Sequence, residues 1–60
     1  MNEVAKLRKR TALSLKSFGE MMGYSESAIS LWERDKRPIR PFVLDAIRKK
    51  VAEYVRGRRA

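Results

Sequence analysis

Apolar side chains recur every three or four residues in four segments of the chain, the spacing of helices that bury one face. The segments cover residues 2–12, 15–22, 26–34 and 41–56. Asn2, Ser14 and Ser25 stand at the starts of the first three, where such side chains accept hydrogen bonds from backbone N–H groups. No segment alternates apolar and polar residues as a strand does. The pattern predicts an all-α domain.

The second and third segments form a unit with a glycine at the turn between them. The inward stripe of the second consists of Leu15, Phe18, Gly19 and Met22. A glycine inside a helix costs about 1 kcal/mol relative to alanine, so Gly19 predicts the close approach of another helix. Gly23 is expected to end the helix in the left-handed conformation. Residues 15–34 are therefore predicted to be two helices joined by a short turn.

The third predicted helix has two sides of different character. Ile29 and Trp32 are three residues apart and are expected to face the core. The outward residues are Glu26, Ser27, Ser30, Leu31 and Arg34. Because a leucine among short polar side chains is not typical of a solvated surface, this side is predicted to be a contact face.

The last segment predicts a longer helix. Pro41 suits its first position, because the N–H that proline lacks would be unpaired there. Gly57 is expected to end the helix after Arg56. The predicted apolar stripe consists of Phe42, Leu44, Ile47, Val51, Tyr54 and Val55.

Composition and charge narrow the possible functions. The 60 residues include 15 Lys and Arg against 7 Asp and Glu, a net charge of +8, with neither His nor Cys. So basic a chain favours a polyanionic partner, with nucleic acid ahead of a membrane surface or a merely solvated exterior. The lack of His, Cys, a glycine-rich phosphate loop and paired carboxylates argues against an enzyme and against a metal site. No apolar run is long enough for a membrane span or a signal peptide.

Four residues at fixed spacing give the chain a family resemblance. Counted from Leu15, Gly19 is fifth, Gly23 ninth, Ile29 fifteenth and Trp32 eighteenth. The chain thereby resembles the Cro/CI (phage-repressor-like, xenobiotic-response-element) helix-turn-helix family over about residues 4–47. Further matches are Leu7–Arg8, Leu13–Ser14 and Glu33. The resemblance implies one compact domain over residues 1–60, lambda-repressor-like, with four and possibly five helices and with helix 26–34 in the major groove of DNA.

The DNA contacts that the resemblance implies fall into two groups. Base reading would fall to Glu26, Ser27, Ser30, Leu31 and Arg34, although Glu26 suits the helix dipole equally well. Phosphate binding would fall to Lys16, Ser17, Ser25, Lys36, Arg37 and Arg40, the alternative being solvated surface charges. The family usually has a phosphate-binding Gln where this chain has Leu15, and Gly where it has Asp35. Leu15 cannot bind phosphate, whereas Asp35 tolerates the left-handed conformation.

Arg8 and Glu33 lie on stripes that otherwise face the core, where a lone charge would be costly. In the family, these positions form an ion pair between the first helix and the end of the third. The resemblance therefore implies a structural ion pair here, with a phosphate contact by Arg8 as the alternative.

The expected function is that of a Cro-like repressor that binds a palindromic operator as a homodimer, without cofactor or small-molecule ligand. Val51, Tyr54 and Val55 are candidates for the dimer seam, although a place in the core against the first helix is slightly preferred. The expected location is the cytoplasm of a bacterial host, on the nucleoid, and the size suits a phage or prophage protein. The alternative is a helix-turn-helix interaction module, such as an antitoxin or an inhibitor.

Overall fold

Four helices follow one another along residues 2–58, which are the residues that the structure, a computed structural model, describes. They are α1 (Glu3–Thr11), α2 (Leu15–Met22), α3 (Glu26–Glu33) and α4 (Pro41–Arg58). No strand lies within this part of the chain. The predicted all-α fold with a long last helix is confirmed, in its four-helix form.

Side-chain caps start the first three helices where the sequence predicts them. Each capping oxygen accepts from the backbone N–H three residues ahead: Asn2 from Ala5 at 3.0 Å, Ser14 from Ser17 at 3.1 Å and Ser25 from Ala28 at 3.1 Å. Such a cap contributes about 1 kcal/mol. The three caps define where α1, α2 and α3 begin.

The core lies where α1 meets α4 and α3, and where α2 meets α3. Its buried apolar residues are Val4, Leu7, Phe18, Met22, Ile29, Trp32, Ile47 and Val51. Phe42 does not belong to it, since it is 83% exposed, and its predicted place in the α4 stripe is wrong. At 100° per residue Phe42 lies about 140° around the helix from Ile47. Val43 packs against the core instead.

The end of α4 also differs from the prediction, because the helix continues through Gly57 to Arg58. The Arg58 guanidinium donates to the Thr11 carbonyl oxygen at 2.9 Å and lies 5.7 Å from the centre of the Tyr54 ring. The hydrogen bond attaches the last turn of α4 to the end of α1, and the ring contact lies within α4. Gly57 tolerates the helical conformation as well as the left-handed one, so tertiary contacts decide the helix end here.

Ala12→Gly is expected to raise the free energy of unfolding by about 0.5–1 kcal/mol. Ala12 caps α1 in the left-handed conformation with φ 62°, which costs an L-residue about 1–2 kcal/mol, and the larger chain entropy that glycine loses on folding offsets about half of the gain. Its side chain is exposed, so no packing is lost. Urea denaturation measures the change. Ala5→Gly, inside the same helix, is the control and should lower stability by about 1 kcal/mol.

Candidate nucleic-acid interface

The turn between α2 and α3 is fixed by backbone hydrogen bonds to one carbonyl. The N–H groups of Gly23 and Tyr24 both donate to the Gly19 oxygen, at 2.8 and 2.9 Å, and Gly23 is left-handed with φ 85°. A Cβ on Gly19 would lie 2.6 Å from the Tyr24 carbonyl oxygen. The close approach predicted at Gly19 is therefore confirmed, and it is made by the backbone of the turn together with the start of α3, whose Glu26 N would lie 3.5 Å from the same Cβ.

The inner side of α3 fixes the rotation of this helix about its axis. Ile29 is fully buried and Trp32 is 8% exposed. The Tyr24 ring meets the Trp32 ring edge-on, with centroids 5.1 Å apart. Because these anchors hold one side of α3 in the core, the opposite side is presented outward.

The outer side of α3 borders an open surface depression, which we call the α3 depression. It is lined by Leu15, Glu26, Ser27, Ser30, Leu31 and Arg34. The structure thus brings together all five residues predicted to read bases. Glu26, Ser27 and Arg34 are exposed, whereas Ser30 and Leu31 are half-buried. Leu15 was predicted only as a core residue, and its exposed edge joins this surface.

The residues predicted to bind phosphate are all exposed and belong to the start of α2, the start of α3 and the loop before α4. Lys16 and Ser17 are in the first turn of α2, Ser25 caps α3, and Lys36, Arg37 and Arg40 belong to the loop before α4. The Ser17 N–H donates to the Ser14 hydroxyl oxygen. A phosphate contact by Ser17 would therefore use its hydroxyl group.

Comparison with known families identifies the architecture. A family model described as "Helix-turn-helix" matches residues 4–51, most of the chain. The chain belongs to the helix-turn-helix family of the Cro/CI type. This family consists of DNA-binding regulatory domains, so DNA binding is the function that membership indicates. No curated protein and no solved structure gives a significant match.

An ion pair joins the first helix of this helix-turn-helix domain to the end of the third. Arg8 Nε lies 2.5 Å from Glu33 Oε2 and Nη2 lies 3.1 Å from Oε1, while Nη1 donates to the Leu13 carbonyl oxygen at 3.1 Å. The hydrogen bond to Glu33 raises the pKa of Arg8, against the opposing effect of burial. The sequence suggested that these charges are buried. The side chains are 29% and 12% exposed, so the pair lies at the edge of the core instead.

Asn2 makes a second connection to the end of α3, which sequence reasoning missed. Its Nδ2 donates to the Trp32 carbonyl oxygen and, at 2.9 Å, to Asp35 Oδ1. Asp35 adopts the expected left-handed conformation, with φ 57°. An asparagine cap has an amide N–H₂ to spare, which a serine cap lacks. That difference is the sequence signal for this contact.

The candidate dimer seam is not a continuous surface of the helix-turn-helix domain. Val51 is fully buried where α4 packs against the rest of the core, so its prediction as a seam residue is wrong. Tyr54 and Val55 are half-buried, and Val55 packs against the core. The cause is that α4 lies along α1, as the alternative interpretation held.

Among residues 2–58, no helix has the length and apolar character needed to cross a membrane. No group of three or more Asp and Glu residues is arranged to hold a metal ion in the same part of the chain.

Proposed function

We propose that the protein is a sequence-specific transcriptional regulator, a Cro-like repressor, that inserts α3 into the major groove of double-stranded DNA. The observation that carries the proposal is the α3 depression, which gathers donor, acceptor and apolar side chains on the outer side of one helix. These are the three kinds of group that base edges in the major groove distinguish. The net charge of +8 supplies the attraction to DNA.

The side chains of the α3 depression suit different base edges. Arg34 can donate to guanine, and Glu26 can accept from the amino group of cytosine. Leu31 can contact a thymine methyl group, while Ser27 and Ser30 accept several partners. Glu26 is the first residue of α3, so its carboxylate also interacts favourably with the helix dipole. The two roles of Glu26 are compatible.

We further propose that two copies bind one palindromic operator. α3 has only 8 residues, and one such helix makes few base contacts. Half-sites about one helical turn apart would let two copies act together. A bound dimer would repress by covering the promoter. The setting that fits is a bacterial cytoplasm, with the protein on the nucleoid and a phage or prophage as its source.

Selection from random double-stranded DNA tests this function. The recovered sequence and a scrambled duplex are then titrated at two salt concentrations. A palindromic winner that binds about 10³-fold or more tightly than the control supports the proposal. Equal binding of both duplexes that disappears with salt contradicts it, since charge alone would then act. A protein-binding role, as in an antitoxin or an inhibitor, would become the better explanation.

Ser27→Ala combined with Leu31→Ala is expected to change the preferred operator sequence, with discrimination at the contacted bases falling about 5- to 100-fold. The thermal midpoint should stay within a few degrees, because Ser27 is exposed and Leu31 only half-buried. Lys36→Ala is the control. It should weaken binding to all sequences alike and reduce the salt slope by about 1. A uniform loss in the Ser27 and Leu31 variant would contradict base reading by these residues.

A further inference from the structure

Leu15 contributes both to the edge of the core and to the α3 depression. It is the first residue of α2, it packs partly against the core, and its remaining surface lines the α3 depression. Leu31 lines the same depression from α3. The other lining residues are charged or hydroxylated: Glu26, Ser27, Ser30 and Arg34. Two leucines from two helices therefore supply the apolar part of a polar surface.

We propose that Leu15 and Leu31 together form a contact site for the 5-methyl group of a pyrimidine in the operator. The inference rests on the proposed function and makes Leu15 a residue that determines specificity. The apolar group that a base pair displays in the major groove is this methyl group. An apolar contact of this kind binds by removing methyl surface from water.

The surroundings of the two leucines favour DNA over an apolar partner. Arg34 and Glu26 lie on the same depression, and the exposed Lys16 follows Leu15 directly. A purely apolar partner would leave these charged groups without water or a counter-charge. A DNA groove instead offers phosphates to Lys16 and base edges to Arg34 and Glu26, around one methyl group.

Rigidity also favours a specific contact. Leu15 packs against the core next to the cap at Ser14, and the backbone of Leu31 is fixed by α3, whose inner side is buried at Ile29 and Trp32. The Leu15 side chain and the backbone that carries Leu31 are therefore ordered before DNA binds. A preformed apolar surface loses little conformational entropy on binding.

The methyl group has two possible sources, thymine and 5-methylcytosine, and both are tested on the operator recovered by selection. Each thymidine is replaced in turn by deoxyuridine, which removes only the methyl group. The expected result is one thymine per half-site whose replacement weakens binding about three- to fourfold, the effect of one buried methyl group. In a second series, each cytosine is replaced by 5-methylcytosine. If methylation of one cytosine strengthens binding by a similar factor and no thymine is sensitive, the methyl group in the site is that of 5-methylcytosine instead.

Variants then show whether Leu15 makes the contact. Leu15→Ala and Leu31→Ala should each abolish the deoxyuridine penalty, and Leu15→Met should retain it. Should Leu15→Ala fold poorly by circular dichroism, Leu15→Gln serves, since it keeps the length of the side chain without its apolar end. Leu13→Ala is the matched control, because Leu13 is also a half-buried core neighbour but does not line the depression. It should retain the full penalty.

The two proposals fail in different ways. An operator that shows no methyl-sensitive position, or whose penalty persists in both Leu15 variants, overturns the role of Leu15 and leaves sequence-specific binding intact. Failure to select any operator overturns the proposed function, and the methyl contact with it.

Discussion

Gly19→Ala is expected to lower the free energy of unfolding by about 2–3 kcal/mol, the range for overpacking a closely packed site. The added Cβ would lie 2.6 Å from the Tyr24 carbonyl oxygen and 3.4 Å from the Ser25 carbonyl carbon. The turn cannot simply retreat, because its N–H groups are hydrogen-bonded to the Gly19 oxygen. A 60-residue chain without disulfides has only about 3–5 kcal/mol in reserve. Much of the population should therefore be unfolded near 37 °C.

Gly23→Ala provides the matched control for this prediction. Gly23 has φ +85°, and no atom beyond its two chain neighbours lies within 4 Å of a Cβ placed there. Its alanine variant suffers backbone strain without a collision, at a net cost of about 0.5–1 kcal/mol, the reverse of the gain expected for Ala12→Gly. Urea denaturation of both variants at low temperature compares the two effects. A Gly19 variant no less stable than the Gly23 variant would mean that the turn moves aside easily.

The same change should affect DNA binding through the position of α3. Moving the turn backbone shifts Ser25 and Glu26, which start the helix that carries the α3 depression. The fraction of Gly19→Ala that remains folded should therefore lose operator preference while its salt-dependent binding to random DNA is retained. Gly23→Ala should keep the preference. The comparison is made by titration at a temperature where circular dichroism shows both variants folded.

Local chemistry made most of the fold predictable from the sequence. The caps at Asn2, Ser14 and Ser25 follow from side-chain hydrogen bonds that reach only three residues, and Gly23 ends α2 for a reason contained in its own backbone. The inward positions of Ile29 and Trp32 follow from helical spacing. Each of these features depends on residues that are close in the sequence, so the sequence alone was enough to predict it.

The features that the sequence missed depend on contacts between distant residues. Gly57 remains helical because Arg58 reaches Thr11, 47 residues away. Asn2 joins the end of α3 only because α1 and α3 lie together. Phe42 and Val51 belong to the same helix, yet one is 83% exposed and the other fully buried, since α1 covers only one side of α4. Helical spacing alone could not show which residues lie at the centre of the buried face of α4.

The candidate interface divides in the same way. Its members on α3 could be predicted, because one helix presents them on one side and a family pattern points to them. Leu15 could not, because its core stripe explains its apolar character fully. Only the packing of α2 against α3 shows that part of Leu15 borders the α3 depression.

Arg8→Met is expected to destabilise the domain by about 2–3 kcal/mol and Glu33→Ala by about 1–2 kcal/mol. The difference arises from what each change leaves behind. Loss of Arg8 leaves the Glu33 carboxylate, which is 12% exposed, without its counter-charge and frees the Leu13 carbonyl oxygen. Loss of Glu33 leaves a guanidinium that is 29% exposed and can still reach water. Both values lie below the 3–5 kcal/mol typical of a fully buried pair, because water retains access to this one.

A double-mutant cycle separates the pair from its surroundings. The combined variant Arg8→Met/Glu33→Ala should cost less than the sum of the single changes, because neither charge is then left alone. The coupling should reach about 1–2 kcal/mol and change little between low and high salt, since a bidentate pair at 12% and 29% exposure is screened weakly. Urea denaturation of the four proteins measures it. Additive costs would mean that the pair does not form in solution, and would return Arg8 to the residues available for a DNA phosphate.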